Sequence, residues 1–144
     1  MVYTSETKNA LKIAFEAHKD QFDKSGIPYI YHPTHLAEQM QDSLSCEVAL
    51  LHDVVEDTAL TFEDLRAKGV SEDALAALAL LTHEKGDGYM DYIRKIKESG
   101  NQVAIRVKLE DLKHNADLTR RDDPKVMTPK SIEKYVVAME FLLS

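Results

Sequence analysis

Leu51-His52-Asp53-Val54-Val55-Glu56-Asp57-Thr58 sets four hydrophilic side chains into an otherwise apolar run that begins at Cys46. On a helix advancing about 100° per residue with His52 at zero, Glu56 falls at about 40°, Asp53 at about 100° and Asp57 at about 140°. Leu50, Val54, Leu51, Val55 and Val48 occupy the opposite arc, from about 160° to about 320°, and give the helix an apolar back. The segment therefore presents one imidazole and three carboxylates from a buried support. Burying like charges together is costly unless protons or a cation compensate, so a metal ion accounts for the cluster. A solvated acidic helix face is the alternative. The His-Asp pair and the tight apolar flanks weigh against it.

The surrounding chain has the size of one domain. Its 144 residues can bury a core without disulfide or metal staples, and residues 1–144 are read as a single unit. Apolar residues make up 44% and charged residues 30%, the composition of an ordinary soluble protein, and no run is long enough to cross a bilayer. The first residues lack a basic region followed by an apolar stretch, so a cytoplasmic location is expected. The lone Cys46 excludes an internal disulfide and a cysteine-based zinc site. A net charge of -7 argues against a polynucleotide partner, which needs a basic surface to displace counterions. A small phosphorylated molecule is compatible, since a few local Lys and Arg suffice to hold it. Nothing in the pattern specifies an oligomeric state.

Outward from the opening stretch the chain reads as helices. Ala10, Leu11, Ala14, Phe15 and Ala17 have helical spacing between about residue 4 and residue 19, with Thr4 or Ser5 as cap. Gly26 and Pro28 force a loop, and a second helix restarts after His32-Pro33, running roughly from Thr34 to Gln41 with His32 at its mouth. His35, one turn on, reads as exposed or as a support behind a ligand. Thr61 caps a short helix stopped by Gly69, and Ser71 caps a central apolar helix carrying Ala74, Leu75, Ala77, Leu78, Leu80 and Leu81. Thr82 to Gly88 is a loop of the kind that borders sites, and Tyr89 to Glu98 is a helix. Val103 to Asn115 begins with β-branched residues, yet with no partner strand in sight a helix is expected, placing Lys108, Asp111 and Asn115 on one face. Residues 120 to 124 form a polar linker. Thr128-Pro129 starts a last helix whose Ile132, Tyr135, Val136, Met139 and Leu142 close the core.

His32 at a helix start, His52 and Asp53 on a second helix and Asp111 on a distant one make a mixed nitrogen and oxygen donor set. It suits Mn, Fe, Zn or a related divalent ion and is too nitrogen-rich for a dedicated Ca or Mg cage. Such an ion acidifies water and polarises a phosphoryl oxygen, and Glu56 and Asp57 stand one turn beyond, able to position or deprotonate that water. This is the donor set of a phosphohydrolase.

Three blocks also carry a family resemblance: Gly26-x-Pro28-Tyr29-Ile30-x-His32-Pro33, Leu50 to Thr58, and Val107-Lys108-Leu109-x-Asp111-x-x-His114-Asn115. Together, in this order, they closely resemble the hydrolase domain of RelA/SpoT-type alarmone enzymes, and the chain resembles the small stand-alone form of that HD-domain superfamily. The match runs from about Ala14 to Arg120 and leaves no room for a synthetase domain. The resemblance implies an all-α HD-domain bundle that removes the 3′-pyrophosphate from guanosine 3′,5′-bis(diphosphate) with Mn²⁺. It implies His32, His52, Asp53 and Asp111 as metal ligands and Glu56 and Asp57 as the acidic pair that handles water. Asn115 would lie near that water and the ribose-phosphate, and Lys24 and Ser25 match part of the nucleotide-binding loop.

The chain departs from the family pattern around the base. Asp23 stands where the family usually has an Arg able to stack on guanine, and an acid cannot supply that contact. Leu112 replaces an Arg after the metal Asp, and Asp117-Leu118 replaces Arg-Thr. Lys85, Arg94 and Lys108 are candidate phosphate contacts. Two further readings follow: hydrolysis of another nucleotide, an adenine alarmone or the 2′-phosphate of NADPH, and a sensor that holds metal and nucleotide without turnover. The presence of Glu56 and Asp57 argues against the sensor.

Overall fold

Seven consecutive residues, Ser45 to Leu51, are buried in the helix at the centre of the molecule, and the other elements are arranged around them. The computed structural model describes residues 1–122 and 129–144. In chain order the helices are α1 (Ser5–His18), α2 (Tyr31–Glu38), α3 (Ser43–Leu51), α4 (Val54–Asp57), α5 (Phe62–Ala67), α6 (Glu72–Leu81), α7 (Tyr89–Glu98), α8 (Gln102–Asn115) and α9 (Pro129–Leu143), with a 3₁₀ turn at Leu118–Arg120. Among the described residues the only β pairing is an isolated antiparallel bridge between Phe22 and Pro28. The expected all-α bundle is what forms. No described helix is long and apolar enough to cross a membrane.

Central α3 packs against α1, α2, α6 and α8. Because it is surrounded, its hydrophobic residues run continuously and do not form a stripe. Val48, Leu50 and Leu51 are each at most 1% exposed, and burying a side chain of this size contributes about 2 kcal/mol. Helix ends follow local chemistry. The Thr4 and Thr61 hydroxyls accept from Thr7 and Asp64 N–H groups in capping boxes, and Asp42, Ser71 and Asn101 cap α3, α6 and α8. Gly69, at φ 90°, ends α5 in a backbone region that side chains disfavour. The β-branched start of the Val103 segment is helical, as the missing partner strand predicted, and α8 as a whole packs against α3, α6 and α9.

Three boundaries differ from the sequence expectation. The continuous helix expected from Cys46 to Thr58 is broken at His52 and Asp53, and α4 is a separate short turn. Asp53 sits at φ -106° and ψ 1°, off the helical basin, so the helical wheel does not describe how His52 and Asp53 are related. Helix α2 begins at Tyr31, before His32-Pro33, since proline is tolerated anywhere in a first turn whose N–H groups have no intrahelical partner. In α9 the fully buried residues are Ala138 and Leu142, whereas Val136 is 40% exposed. Val136 lies about 160° from Ala138 around the helix, so it cannot close the core. Tyr135 and Met139 pack against the core from the edges of the buried arc. The Thr128 cap expected for this helix, and the Asp123-Pro124 part of the expected linker, lie outside the described residues.

Candidate metal centre

Four side chains from three regions meet in the floor of a cleft. His32 comes from the first turn of α2, His52 and Asp53 from the break between α3 and α4, and Asp111 from the middle of α8. One potential ligand atom from each lies within 4.8 Å of all the others. His32 Nε2 is 2.9 Å from Asp111 Oδ1 and 3.9 Å from Asp53 Oδ2. His52 Nε2 is 2.9 Å from Asp53 Oδ2 and 3.5 Å from Asp111 Oδ1. Sequence reasoning named these four, and the fold brings all four together across 79 residues of chain. The break in the helix is what lets consecutive His52 and Asp53 converge.

The donor set fits a divalent cation. His52 Nδ1 lies 2.7 Å from the Ala49 carbonyl, which can only accept, so the proton of the neutral ring sits on Nδ1 and the lone pair of Nε2 faces the cluster. That Nε2 is buried and has no hydrogen-bond partner. Two buried carboxylates beside it need compensation. Lys108 Nζ supplies part, 2.8 Å from Asp111 Oδ2, and the Tyr29 hydroxyl donates to Asp53 Oδ2. Burial works against charge on His52, but the carboxylates of Asp53 and Asp111 outweigh it and hold the ring well above its ordinary range. Burial alone would raise Asp111; Lys108, His32 and His52 hold it well below the usual carboxylate range. Without a metal ion, protons balance the cluster.

Glu56 and Asp57 lie at the edge of the cluster. The Glu56 carboxylate accepts from the His83 N–H at 2.8 Å, which ties α4 to the loop after α6. Desolvation, with the like charges of Asp53 and Glu56, pushes Asp57 up to about 6. Asn115 donates to Asp111 Oδ1 at 3.2 Å and lines the same cleft, whose volume is about 260 Å³. Lys108 lines it too, with its ammonium bonded to Asp111 and 5.0 Å from the Tyr92 ring.

Other expected contacts lie elsewhere. Ser25 and Lys24 do not line the cleft: the Ser25 hydroxyl donates to the Arg120 carbonyl at 2.9 Å and accepts from Asp122 N–H at 3.2 Å, and Lys24 is exposed. Asp23 Oδ1 accepts from the Ser25 and Ile27 N–H groups at 2.8 and 3.0 Å, closing the loop, while its Oδ2 stands 3.8 Å from Arg120 Nη2. Asp23, Ile27 and Arg120, but not Lys24 or Ser25, border a second cavity of about 330 Å³ that shares Tyr29 and His32 with the first and is also lined by His35 and His114. Arg94 pairs with Asp91 at 2.9 Å, and Lys85 lies in the loop beyond the cleft, so neither lines it. His114 is brought down to about 3 by burial and by Arg120, His32 and His35.

Of the other cleft residues, His83 lies in the loop expected to border a site, whereas Tyr89, Lys134 and Tyr135 carried no site signal in the sequence. His83 stacks on Tyr92 with ring centres 4.6 Å apart, and Tyr89, Lys134 and Tyr135 form the facing wall, with Lys134 Nζ 4.0 Å from the Tyr89 ring centre. Tyr89 and Tyr92 read as one side of an amphipathic helix, which is also true of their position. Nothing along the chain marks which end of that side opens into a cleft.

No family model matches the chain. The chain is 35% identical over 120 residues to the bifunctional (p)ppGpp synthase/hydrolase SpoT of Escherichia coli (strain K12), covering 75% of this chain but spanning only 17% of that relative's length. It is 39% identical over 70 residues to the guanosine-3′,5′-bis(diphosphate) 3′-pyrophosphohydrolase of Aquifex aeolicus, covering 46% of this chain and 10% of that protein. Against the guanosine-3′,5′-bis(diphosphate) 3′-pyrophosphohydrolase MESH1 of Xenopus tropicalis it is 31% identical over 137 residues, 88% of this chain and 76% of that one. A solved structure described as a metazoan ortholog of SpoT that hydrolyzes ppGpp superposes with a TM-score of 0.76 at 23% identity, over 99% of this chain and 86% of that chain, and shares the fold. With an all-α bundle in common and identity sustained along most of both chains, the protein belongs to the family of guanosine-3′,5′-bis(diphosphate) 3′-pyrophosphohydrolases that includes MESH1.

Proposed function

We propose that this chain is a cytoplasmic, Mn²⁺-dependent hydrolase that removes the 3′-pyrophosphate from (p)ppGpp-type nucleotides. The observation that carries the reading is the convergence of His32, His52, Asp53 and Asp111 within 4.8 Å, beside two carboxylates left over for work on water. In this reading those four hold the ion, and a divalent metal there supplies an acidified water and neutralises phosphoryl charge. The family's alarmone relatives support the substrate class.

The remaining roles belong to the protein's own groups. Water adds to the phosphorus attached to the 3′ oxygen, that P–O bond breaks, and the products are a nucleoside 5′-diphosphate and pyrophosphate. Asp57, raised to about 6, accepts the proton that water gives up, since a base works best when its pKa lies near the working pH. Glu56, fixed by the His83 N–H, orients the water. Asn115 is a short, neutral donor beside Asp111 that can turn toward substrate. Lys108 keeps Asp111 ionised. Lys24 and Ser25 remain in the reading as loop contacts to the nucleotide, reached from the side of the second cavity.

One observation favours a second substrate. Asp23 is tied to Arg120 and to the backbone of its own loop, so no free guanidinium stands at that position to stack on guanine. An adenine alarmone or the 2′-phosphate of NADPH is the alternative substrate on that ground. Metal-stripped protein reloaded with Mn²⁺ and offered a panel of these nucleotides separates the readings through release of pyrophosphate or phosphate. Absence of product from every nucleotide, with Glu56→Gln indistinguishable from wild type, sinks the hydrolase reading.

A further inference from the structure

His114 belongs to the motif around Asp111 and Asn115, yet neither the metal reading nor the substrate reading gives it work. Its Nδ1 lies 2.8 Å from His32 Nδ1, and the two rings lie edge to edge, 6° from parallel with centres 5.0 Å apart. His35 stacks on one face of the His114 ring at 4.0 Å, and the His114 backbone carbonyl accepts from Arg120 Nη1 at 2.7 Å. The ring is therefore held at its edge by His32 and on one face by His35, with one nitrogen aimed at the rear of His32.

A neutral imidazole carries one proton, so the nitrogen that gives its lone pair to a cation must be the unprotonated one. His32 Nε2 faces Asp53 and Asp111, which puts the proton of a metal-binding His32 on Nδ1. That N–H meets His114 Nδ1, which can accept only if His114 is neutral and protonated at Nε2. Resting on the proposed metal site, we infer that His114 is a positioning residue: its Nδ1 accepts the His32 Nδ1–H and so fixes both the tautomer and the orientation of that ligand.

The choice of acceptor has a physical reason. Metal-bound histidines ordinarily rest on a carboxylate, a backbone carbonyl or water. His52 follows that pattern on the Ala49 carbonyl. Asp53, Glu56, Asp57 and Asp111 already crowd this cleft, and a further carboxylate behind His32 would add like charge to a buried cluster. An imidazole accepts the hydrogen bond without adding charge.

The test is Mn²⁺ titration of the metal-stripped full chain, with free Mn²⁺ read by electron paramagnetic resonance, for wild type, His114→Leu, His114→Asn and His32→Ala. Leu and Asn both remove the stacked ring, but only Asn places an acceptor oxygen where Nδ1 stood. His114→Leu is expected to weaken Mn²⁺ binding about 10- to 100-fold, and His114→Asn to stay near wild type. Circular-dichroism melts of each metal-free variant check folding, and His114→Ala, which also lacks an acceptor, replaces the Leu variant if that one is unfolded. Equal binding by the Asn variant and the variant without an acceptor overturns the inference, whether both are weak or both strong. If His32→Ala binds like wild type, the metal site itself is misread and the inference falls with it. Loss of binding in His32→Ala alone removes only the role of His114.

Discussion

Lys108 Nζ stands 2.8 Å from Asp111 Oδ2, one turn away on α8, and the two side chains are only 11% and 8% exposed. This pair lets a carboxylate remain ionised in the floor of the cleft whether or not a cation is present. Removing one partner of a buried pair leaves the other charge uncompensated, at a cost of about 3–5 kcal/mol. Lys108→Met is therefore expected to lose about that much stability in metal-free protein, and less in the presence of saturating Mn²⁺, which supplies the missing charge. Urea unfolding with chelator and with Mn²⁺ measures both. An equal loss in the two conditions contradicts the role assigned to Asp111.

Metal addition alone should stabilise the fold. A ligand that binds only the native state contributes about 2.7 kcal/mol at a concentration one hundred times its Kd. Wild-type protein should gain about that amount, and His52→Ala should gain far less, since Nε2 of His52 is a buried atom of the cluster that has no hydrogen-bond partner. Thermal melts across a Mn²⁺ series read the difference. The same gain in both proteins would place the ion elsewhere.

Glu56→Gln keeps the carbonyl oxygen that accepts the His83 N–H and removes the charge. Turnover is expected to fall about 10²- to 10⁴-fold, the usual worth of a positioned acid or base, with Mn²⁺ affinity unchanged. Single-turnover product release and metal titration on the same preparation check the two halves. A variant that turns over normally removes Glu56 from the mechanism.

Asp57 predicts a pH dependence of stability. Its carboxyl titrates at about 6 in the folded protein and at about 4 in an unfolded chain, so the folded state binds the proton more tightly. That contribution favours folding below about pH 4 and is lost as pH rises through about 6. Burial raises Glu47 in the same direction, the carboxylates beside His52 raise that ring too, and the lowered His114 opposes them, so the wild-type slope combines all of these groups. Asp57→Asn should remove the Asp57 part and leave the other groups' contributions in place, making metal-free variant more stable than wild type at pH 8 while abolishing turnover. Denaturant midpoints from pH 4 to pH 8 give the two slopes, and parallel curves would contradict the pKa assigned to Asp57.

The reach of the sequence differs between parts of the molecule. Caps at Thr4, Thr61 and Ser71, and the helix from Tyr89 to Glu98, were legible because they depend on side chains within four residues of one another. The placement of Val136 in the core was misread because alternating apolar residues on α9 allow more than one buried arc, and only the position of α8 and α7 selects it. In the wall formed by His83, Tyr89, Lys134 and Tyr135, only the loop that carries His83 was legible as one that borders a site, since local periodicity cannot orient the two helices that supply the rest.

By itself the sequence determined that the chain is helical, that the segment from Cys46 has an apolar back, and that His32, His52, Asp53 and Asp111 carry donors suited to one divalent ion. These follow from residue chemistry and short-range spacing. Only the tertiary structure decided that the helix breaks at Asp53 so that His52 and its neighbour converge, that Asp23 is tied to Arg120, and that His114 stands behind His32. Each of those depends on where a distant segment packs, as in the 82 residues that separate His32 from His114. Contacts at that separation are set by the burial of whole helices, which no local pattern encodes.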